Sequence, residues 1–227
     1  MRLAIFLATT VLAATAAMAT PLESARDRQD RAELQKLIDE AASAAAKAPN
    51  DAEAQYRAAL ACSYLAEVMI EQRDRKPARG VAEQGVKAAE KAVALSQSNA
   101  EYYRLLGTLY GQAITDAMSG LNYGPKAKTA VNKAMEIAPK SAMVWVAQGV
   151  GNYYLPAALG GGIPNAIASF HKAIELDPKN AEAYLWLGVS LRKDNKDAEA
   201  RQALAKSLEL NPNRVWVKQQ LEKTPTK

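Results

Sequence analysis

Two prolines, 34 residues apart, constrain the fold of this chain more than any other feature of its sequence. Between Pro178 and Pro212 (212 − 178 = 34) lie two short segments with helical spacing of their apolar residues, separated by the polar stretch 194–197. The second segment ends before Pro212, because proline cannot continue a helix. Gly188 lies inside the first segment, where glycine costs about 1 kcal/mol relative to alanine. We therefore expect a helical hairpin in which a neighbouring helix backbone passes close to Gly188.

The same order of residue types recurs upstream. Gly107 and Gly149 stand where Gly188 stands in the last unit, each after an aromatic residue and each followed by small and apolar positions before a proline. This order resembles the tetratricopeptide repeat (TPR), a helix-turn-helix unit of about 34 residues. One such unit cannot bury its apolar faces alone. The resemblance therefore implies an all-α fold, a right-handed solenoid of stacked hairpins with a capping helix at each end.

The resemblance also divides the chain. Residues 20–50 form a charged helical region with a narrow apolar stripe and are expected to cap one end, and residues 213–227, with Trp216, are expected to cap the other. The repeat domain between them spans 51–212, and its first unit lacks both the glycine and the final proline. The expected units are about 51–99, 100–140, 141–180 and 181–212.

Three connections differ from the short turn of the resembled family. Residues 72–80 are expected to form a basic turn before a helix at 81–95, and the Gly- and Pro-containing residues 118–125 to form a loop. Residues 155–164 carry three successive glycines and are expected to form a second loop, for which a cover over the stack and a plain linker both stay open. The motif from Tyr153 to the glycines also resembles one in the helical T-components of TRAP-type transporters, which enclose a pore or pocket.

Residues 1–19 have the composition of a secretory signal. Arg2 precedes an apolar run at 3–17, and Ala17-Met18-Ala19 provides a cleavage site. The run is shorter than the ~20 apolar residues that a membrane span needs, which favours a signal over an uncleaved anchor. We expect cleavage after Ala19 and a periplasmic or secreted protein without stable membrane insertion.

The inventory of reactive side chains argues against catalysis. The lone Cys62 is expected to be a buried thiol, with an intermolecular disulfide as the alternative, and the lone His171 is expected to face solvent. One histidine and one cysteine make neither a catalytic dyad nor a zinc site, and Gly160–Gly162 lacks the lysine of a phosphate loop. The net charge of +5 is spread out, without the basic and aromatic cluster of nucleic-acid binders. We expect no enzyme, cofactor, metal or nucleic-acid partner.

The resemblance implies a binding role along a concave groove lined by the first helix of each unit. Carried over by register, the lining is aromatic and aliphatic with two arginines, which suits an extended peptide or a partner helix with apolar anchors and an acidic group. The arginines do not reproduce the carboxylate clamp of the chaperone-tail receptors of this family. The positions are Tyr56, Leu60, Arg104, Thr108, Val146, Val150, Tyr153, Leu185, Val189 and Arg192.

Two functions follow from this lining. The first is a scaffold that binds a protein or peptide partner in the cell envelope through an open groove. The alternative is an accessory protein that holds a small apolar or acidic solute for a membrane transporter, in an enclosed cavity beside residues 153–163.

Overall fold

The computed structural model describes residues 19–226, so nearly all of the predicted signal sequence lies outside the described residues. Every regular element within 19–226 is helical, and none of these helices is long and apolar enough to cross a bilayer. A short 3-10 turn at Ala157–Leu159 precedes α8. The α-helices are α1 (Pro21–Asp27), α2 (Arg31–Lys47), α3 (Ala52–Glu71), α4 (Arg75–Leu95), α5 (Ala100–Gln112), α6 (Ala117–Ile137), α7 (Ala142–Tyr154), α8 (Ile163–Leu176), α9 (Ala181–Lys193), α10 (Asp197–Leu210) and α11 (Val215–Glu222).

Four antiparallel hairpins form the body of the stack: α3 with α4, α5 with α6, α7 with α8, and α9 with α10. The first helix of each hairpin packs against the first helix of the next, and the shorter pair α1–α2 packs on α3. At the other end, α11 packs on α10. The all-α solenoid predicted from the sequence is confirmed.

The repeated glycines lie where two helices of one hairpin touch. A Cβ atom added at Gly107 or Gly188 would lie 2.6 Å from a side-chain carbon of the second helix, and one added at Gly149 would meet the ring of Phe170. No side chain fits at such distances, so glycine is required by the close approach of the helices. The expectation for these three glycines is confirmed.

The apolar core runs along the stack as separate clusters between neighbouring helices. Leu34 and Ile38 lie in the cluster of α1–α4, Leu105 in that of α3–α6, and the fully buried Phe170 in that of α7–α10. A further cluster places Val217 of α11 on α9 and α10. Among residues 19–226, none of these clusters joins α1–α4 to α9–α11.

The loop predicted at 118–125 is wrong, because α6 already begins at Ala117. Asp116 starts the helix: its carboxylate accepts the backbone N–H of Ser119, and the Ser119 hydroxyl accepts the N–H of Asp116 in return. This reciprocal capping satisfies free donors of the first turn. Pro125 has no backbone N–H, so the carbonyl four residues earlier lacks its usual helical donor. Pro125 is exposed, so this carbonyl lies on a side of the helix that water reaches.

Two further boundaries differ from the prediction. The basic turn expected at 72–80 is confined to three residues, because α4 begins at Arg75 and holds Pro77 in its first turn, where proline is tolerated. The cap expected as one helical region at 20–50 is two helices, broken at Gln29, whose φ of 56° a helix cannot accommodate.

The loop after α7 is present as predicted and is tied down by its own backbone. Gly160 and Gly162 have φ angles of 87° and 101°, which other residues rarely adopt. The N–H of Gly162 donates to the carbonyl oxygens of Asn152 at 2.8 Å and Leu155 at 2.9 Å. Leu159, at the tip, is 62% exposed, so this side chain extends to solvent.

Candidate functional site

The two ends of the stack meet through polar side chains. Arg214, directly before α11, is 1% exposed, and its Nη2 donates to Glu67 Oε1 at 2.6 Å and also to a carboxylate oxygen of Glu71. Asn211 Nδ2 donates to Asp27 Oδ2 at 2.7 Å. The last helix of the chain therefore returns to α1 and α3.

A second arginine completes this group. Arg26 donates to Asp27 Oδ1 from Nε at 3.0 Å and from Nη2 at 2.7 Å, and its Nη1 lies 3.2 Å from Glu182 Oε1 on α9. Its guanidinium carbon lies 4.8 Å from the ring centroid of Tyr64. We call the two arginines and four carboxylates the ionic cluster, which consists of Arg26, Asp27, Glu67, Glu71, Glu182 and Arg214.

Burial is the largest influence on the pKa values of Glu67 and Glu71 on α3. It raises the pKa of Glu71 from 4.5 to about 7; Arg214 opposes this shift, and the neighbouring charge of Glu67 adds to it. Burial likewise raises the pKa of Glu67, against the effect of Arg214 and Arg26. Two guanidinium groups face four carboxylates here, so full ionisation leaves a formal charge of −2.

An aromatic cluster borders the ionic cluster. It is formed by Tyr153 and Tyr154 at the end of α7, Trp186 on α9 and Trp216 on α11. The Trp186 ring centroid lies 5.8 Å from that of Tyr153, 6.2 Å from that of Tyr154 and 5.3 Å from that of Trp216. Tyr154 is 56% exposed and the other three rings are half-buried, so this group offers apolar surface to solvent.

The aromatic and ionic clusters are joined at two points. The guanidinium carbon of Arg214 lies 5.8 Å from the ring centroid of Trp216, two residues further along the chain. The hydroxyl of Tyr154 lies within electrostatic range of Arg75 and Glu71. The Tyr154 side chain at the end of α7 therefore lies near residues of α3 and α4.

Comparison with known proteins places this chain in a family. The family model described as regulator of microtubule dynamics protein 1-3 matches residues 15–155, which is more than half of the 227 residues. The chain belongs to the regulator of microtubule dynamics family. Two TPR models match the part that follows in this family member, at residues 159–195 and 181–214, so it is also a TPR protein, as predicted.

Solved structures resemble this family member in fold. A thermophilic TPR protein of Thermus thermophilus is 19% identical, with a TM-score of 0.56 over 84% of this chain and 98% of that chain. PilF of Pseudomonas aeruginosa is 21% identical, with a TM-score of 0.49 over 75% of this chain and 68% of that chain. At these identities the likeness of the first structure shows the TPR fold and nothing about a ligand.

In this regulator of microtubule dynamics family member, most of the predicted groove positions of the first two hairpins form hydrogen bonds within the chain. Tyr56 donates from its hydroxyl to Glu101 Oε1 at 2.9 Å, and Arg104, 9% exposed, donates from Nε to Glu101 Oε2 at 2.6 Å. Thr108 donates to the backbone oxygen of Arg104 at 3.1 Å, and Leu60 is half-buried. Arg104 therefore has its charge neutralised within the chain.

The predicted positions of the last two hairpins are mostly covered. Leu185 is fully buried and Val189 is 4% exposed, because α11 packs over both, and Val146 is 6% exposed within the cluster of α7–α10. Arg192 donates from Nη2 to Gln220 Oε1 of α11 at 2.7 Å. Leu185, Val146 and Val189 therefore offer almost no surface to a ligand, which differs from the open lining that was expected.

Val150 and Tyr153 are half-buried, and Tyr153 is the predicted position that the structure places in the aromatic cluster. Tyr154 and Trp186 are not among the predicted positions, because register in the resembled family selects fixed positions and passes over neighbouring aromatic residues. Glu67 and Glu71 are not among them either. A signal for these was available, since two carboxylates four residues apart stand in an otherwise apolar part of α3.

The lone reactive side chains lie apart from both clusters. Cys62 is 2% exposed, and burial raises the pKa of its thiol to about 12. His171 is exposed on α8, as predicted. The thiol of this family member is therefore a protonated core group in the single chain.

Proposed function

We propose that this protein is a non-catalytic scaffold that binds an extended segment of a protein partner against its aromatic cluster. One observation carries this proposal: four aromatic rings from α7, α9 and α11 lie together and partly exposed, whereas the neighbouring positions Leu185 and Val189 are covered. Tyrosine and tryptophan are enriched at the centres of protein interfaces, because they bury a large apolar area while keeping a polar tip for hydrogen bonding.

The charges beside the aromatic cluster favour a partner with an acidic group next to its apolar anchors. The ammonium of Lys193 lies 4.8 Å from the ring centroid of Tyr153 and is itself exposed. Arg75, within electrostatic range of Tyr154, is exposed as well. Two accessible cations at the border of an apolar surface give direction and specificity to a bound peptide more than affinity.

The alternative of a solute carrier finds less support. Two depressions in the described surface have volumes of about 380 and 320 Å³. The first lies between α2, α3 and α4, the second between α4, α5 and α6, and neither reaches residues 153–163.

The name of the matching family refers to the regulation of a protein polymer, which is in line with a protein partner.

We also propose that the protein is exported to the periplasm or secreted. Residues 1–19 support this, and so does the position of the first helix: Thr20, the first residue after the expected cleavage site, caps α1 together with Glu23. The mass of the mature chain tests the proposal. It is expected to correspond to a chain that begins at Thr20. An uncleaved chain that accumulates in the cytoplasm would contradict export.

A selection from a library of random 12-residue peptides, displayed on phage, tests the binding proposal. We expect enriched peptides with aromatic or aliphatic anchors and an acidic residue, and a loss of affinity of at least about tenfold in Tyr154→Ala. Leu121→Ala is the matched control, since Leu121 is 76% exposed on α6, outside the aromatic cluster, and its variant is expected to bind normally. Saturable binding that neither Tyr154→Ala nor Tyr153→Ala weakens would rule out this site.

A further inference from the structure

We propose that the ionic cluster is a releasable clasp, which holds the two ends of the stack together and controls access to the aromatic cluster. The clasp itself follows from the geometry of the chain, whereas its role in access rests on the proposed function. The two are therefore tested by separate measurements.

The hydrogen bonds and ion pairs between the two ends of the described chain are made by polar side chains. Besides the ion pairs of Arg214 and the Asn211–Asp27 hydrogen bond, Gln219 Nε2 donates to Gln29 Oε1 at 3.1 Å, and Gln29 Nε2 donates to Glu71 Oε2 at 2.8 Å. None of the apolar clusters spans this junction. Without buried apolar surface, the hydrophobic effect does not keep this junction closed when one of its charged groups is neutralised or replaced.

The charges of the clasp are out of balance. With every group ionised, the two arginines leave two of the four carboxylate charges uncompensated. Arg214 Nε donates to no acceptor and lies 3.6 Å from Glu182 Oε1 and 3.7 Å from Asp27 Oδ1, beyond hydrogen-bond distance of both. Excess charge in a desolvated site opposes closure, and its removal favours closure.

Protonation of Glu71 removes one of the excess charges, so closing the clasp is coupled to proton uptake. Glu71 has a pKa of about 7 in the closed cluster and 4.5 in water, with burial as the main cause. Between these values the closed state binds the proton and an open, hydrated state does not, so acidification favours closure and a rise in pH favours opening. The groups that face Glu71 are Arg214 before α11, Glu67 on the same helix and Tyr154 on α7. The remaining charged groups of the junction act on these neighbours: Arg75 of α4 acts on Tyr154, and Arg26, Asp27 and Glu182 act on Glu67 and Arg214.

Opening the clasp changes the surroundings of the aromatic cluster, because α3 lies beside it only while the two ends meet. Release of Arg214 separates α11 from α3, while the apolar contacts of Val217 keep α11 and Trp216 on α9 and α10. The Tyr154 hydroxyl, which lies within electrostatic range of Arg75 and Glu71 when the clasp is closed, then loses these neighbours. The side of the aromatic cluster that faces α3 and α4 is thereby uncovered for a partner's apolar side chain.

Distances between two spin labels, measured by pulsed electron paramagnetic resonance, test the clasp in the whole chain. One label is placed at Arg28→Cys, after α1, and the other at Asn213→Cys, before α11; both positions are exposed and neither belongs to the ionic cluster. Cys62 is kept, because its thiol is buried and is expected not to react with the label. The control pair, Gly151→Cys and His171→Cys, spans the α7–α8 hairpin at exposed positions.

We expect one short distance for the 28–213 pair at pH 5.5 and a second, longer population that grows between pH 6 and pH 8.5. Glu71→Gln is expected to stay closed over this range, since glutamine mimics the protonated acid, and Arg214→Gln to show the longer distance at pH 8.5 as its main population. The control pair is expected not to change. A 28–213 distance that is independent of pH and of both substitutions would overturn the clasp, and so would a control pair that lengthens together with it.

Access is measured separately with a peptide enriched in the phage selection. We expect Arg214→Gln to raise its affinity at least about threefold at pH 7, and Glu71→Gln to lower it. If the clasp opens while these affinities stay equal, control of access is wrong and the clasp stands. If no peptide binds at all, the proposed function fails, and the distance measurements remain a complete test of the clasp.

Discussion

The junctions between hairpins and the junction between the two ends of the stack use opposite chemistry. Between α7 and α8 the helix surfaces are apolar, and Gly149 lets the Phe170 ring lie directly on the α7 backbone. Between α3 and α11 the contacts are Arg214 with Glu67 and Glu71. A disturbed apolar junction cannot relieve its strain without unfolding the hairpin, whereas a disturbed ionic junction can separate and let water solvate its charges.

A substitution at Gly149 has the largest expected effect on the free energy of unfolding, because the apolar α7–α8 junction cannot separate without unfolding the hairpin. Gly149→Val places a branched side chain against the buried Phe170 ring, and we expect the free energy of unfolding to fall by about 3 kcal/mol, the upper part of the range for overpacked cores. Gly151→Val, on the same helix with nothing within 4 Å of an added Cβ, is expected to change it by less than about 0.5 kcal/mol. Chemical denaturation measures both, and equal losses would show that the glycine packing is not the cause.

The pH dependence of stability distinguishes the two junctions next. The pKa of Glu71 rises from 4.5 to about 7 on folding. The folded state therefore holds an extra proton between these values, and the contribution of this group to stability is full below pH 4.5 and lost as the pH rises through 7. Subtracting the unfolding free energy of Glu71→Gln from that of the wild type at each pH removes the pH-dependent contributions of the other carboxylates. We expect the difference to fall by about 2 to 3 kcal/mol from pH 4.5 to 7.5, at about 1.4 kcal/mol per pKa unit. A difference that is flat, or that rises with pH, would contradict the buried state of Glu71.

Removal of the arginine has a smaller effect if the clasp can open. Loss of one partner from a buried ion pair that stays closed costs about 3–5 kcal/mol. For Arg214→Gln we expect a loss of about 1 to 2 kcal/mol in the free energy of unfolding, because separation of the ends hydrates the carboxylates left behind. Arg57→Gln serves as control, since its ion pair with Glu53 is exposed and contributes little. A loss in the higher range would identify the end-to-end junction as a rigid part of the core.

The smallest expected effect is on Cys62, which lies in an apolar cluster with residues of α1–α4. Because the thiol is buried and its pKa is raised to about 12, we expect no reaction with a thiol reagent within an hour at pH 7.5 in the wild type. Arg214→Gln is expected to leave this rate unchanged, since opening the clasp does not part the α3–α4 hairpin. Faster labelling in Arg214→Gln would mean that the two junctions are coupled. Complete labelling in denaturant confirms that the thiol is intact.

The hairpin junctions could be predicted from the sequence because each depends on residues close together in the chain. Gly188 and Leu204 face each other within one hairpin, and the same pattern occurs at Gly107 and Gly149. Pro125 and its neighbouring glycines were misleading. Proline and glycine predict a break in the chain here, although Asp116 and Ser119 provide a stronger signal, a capped helix start, just before them.

The ionic cluster could not be predicted, because Arg214 lies 143 residues from Glu71 in the chain. Whether the last helix reaches the first depends on the rotation of each hairpin relative to the next, which accumulates along a solenoid and leaves no local pattern. The burial of Leu185 and Val189 has the same origin. Register predicts groove positions for both, but the packing of α11 decides whether they face a partner or a helix of the same chain.

The meeting of α1 and α11 means that the order of the chain is not the only order that could build this stack. Gln219 lies 3.1 Å from Gln29 through their side-chain amides, so a short flexible linker could join the tail after Thr224 to Thr20. New termini could then be placed at the exposed Lys140, in the connection between the α5–α6 and α7–α8 hairpins. Such a circularly permuted chain would keep every hairpin intact while adding a covalent tether to the end-to-end contact, so that the two ends stay near each other even when the ionic contacts separate.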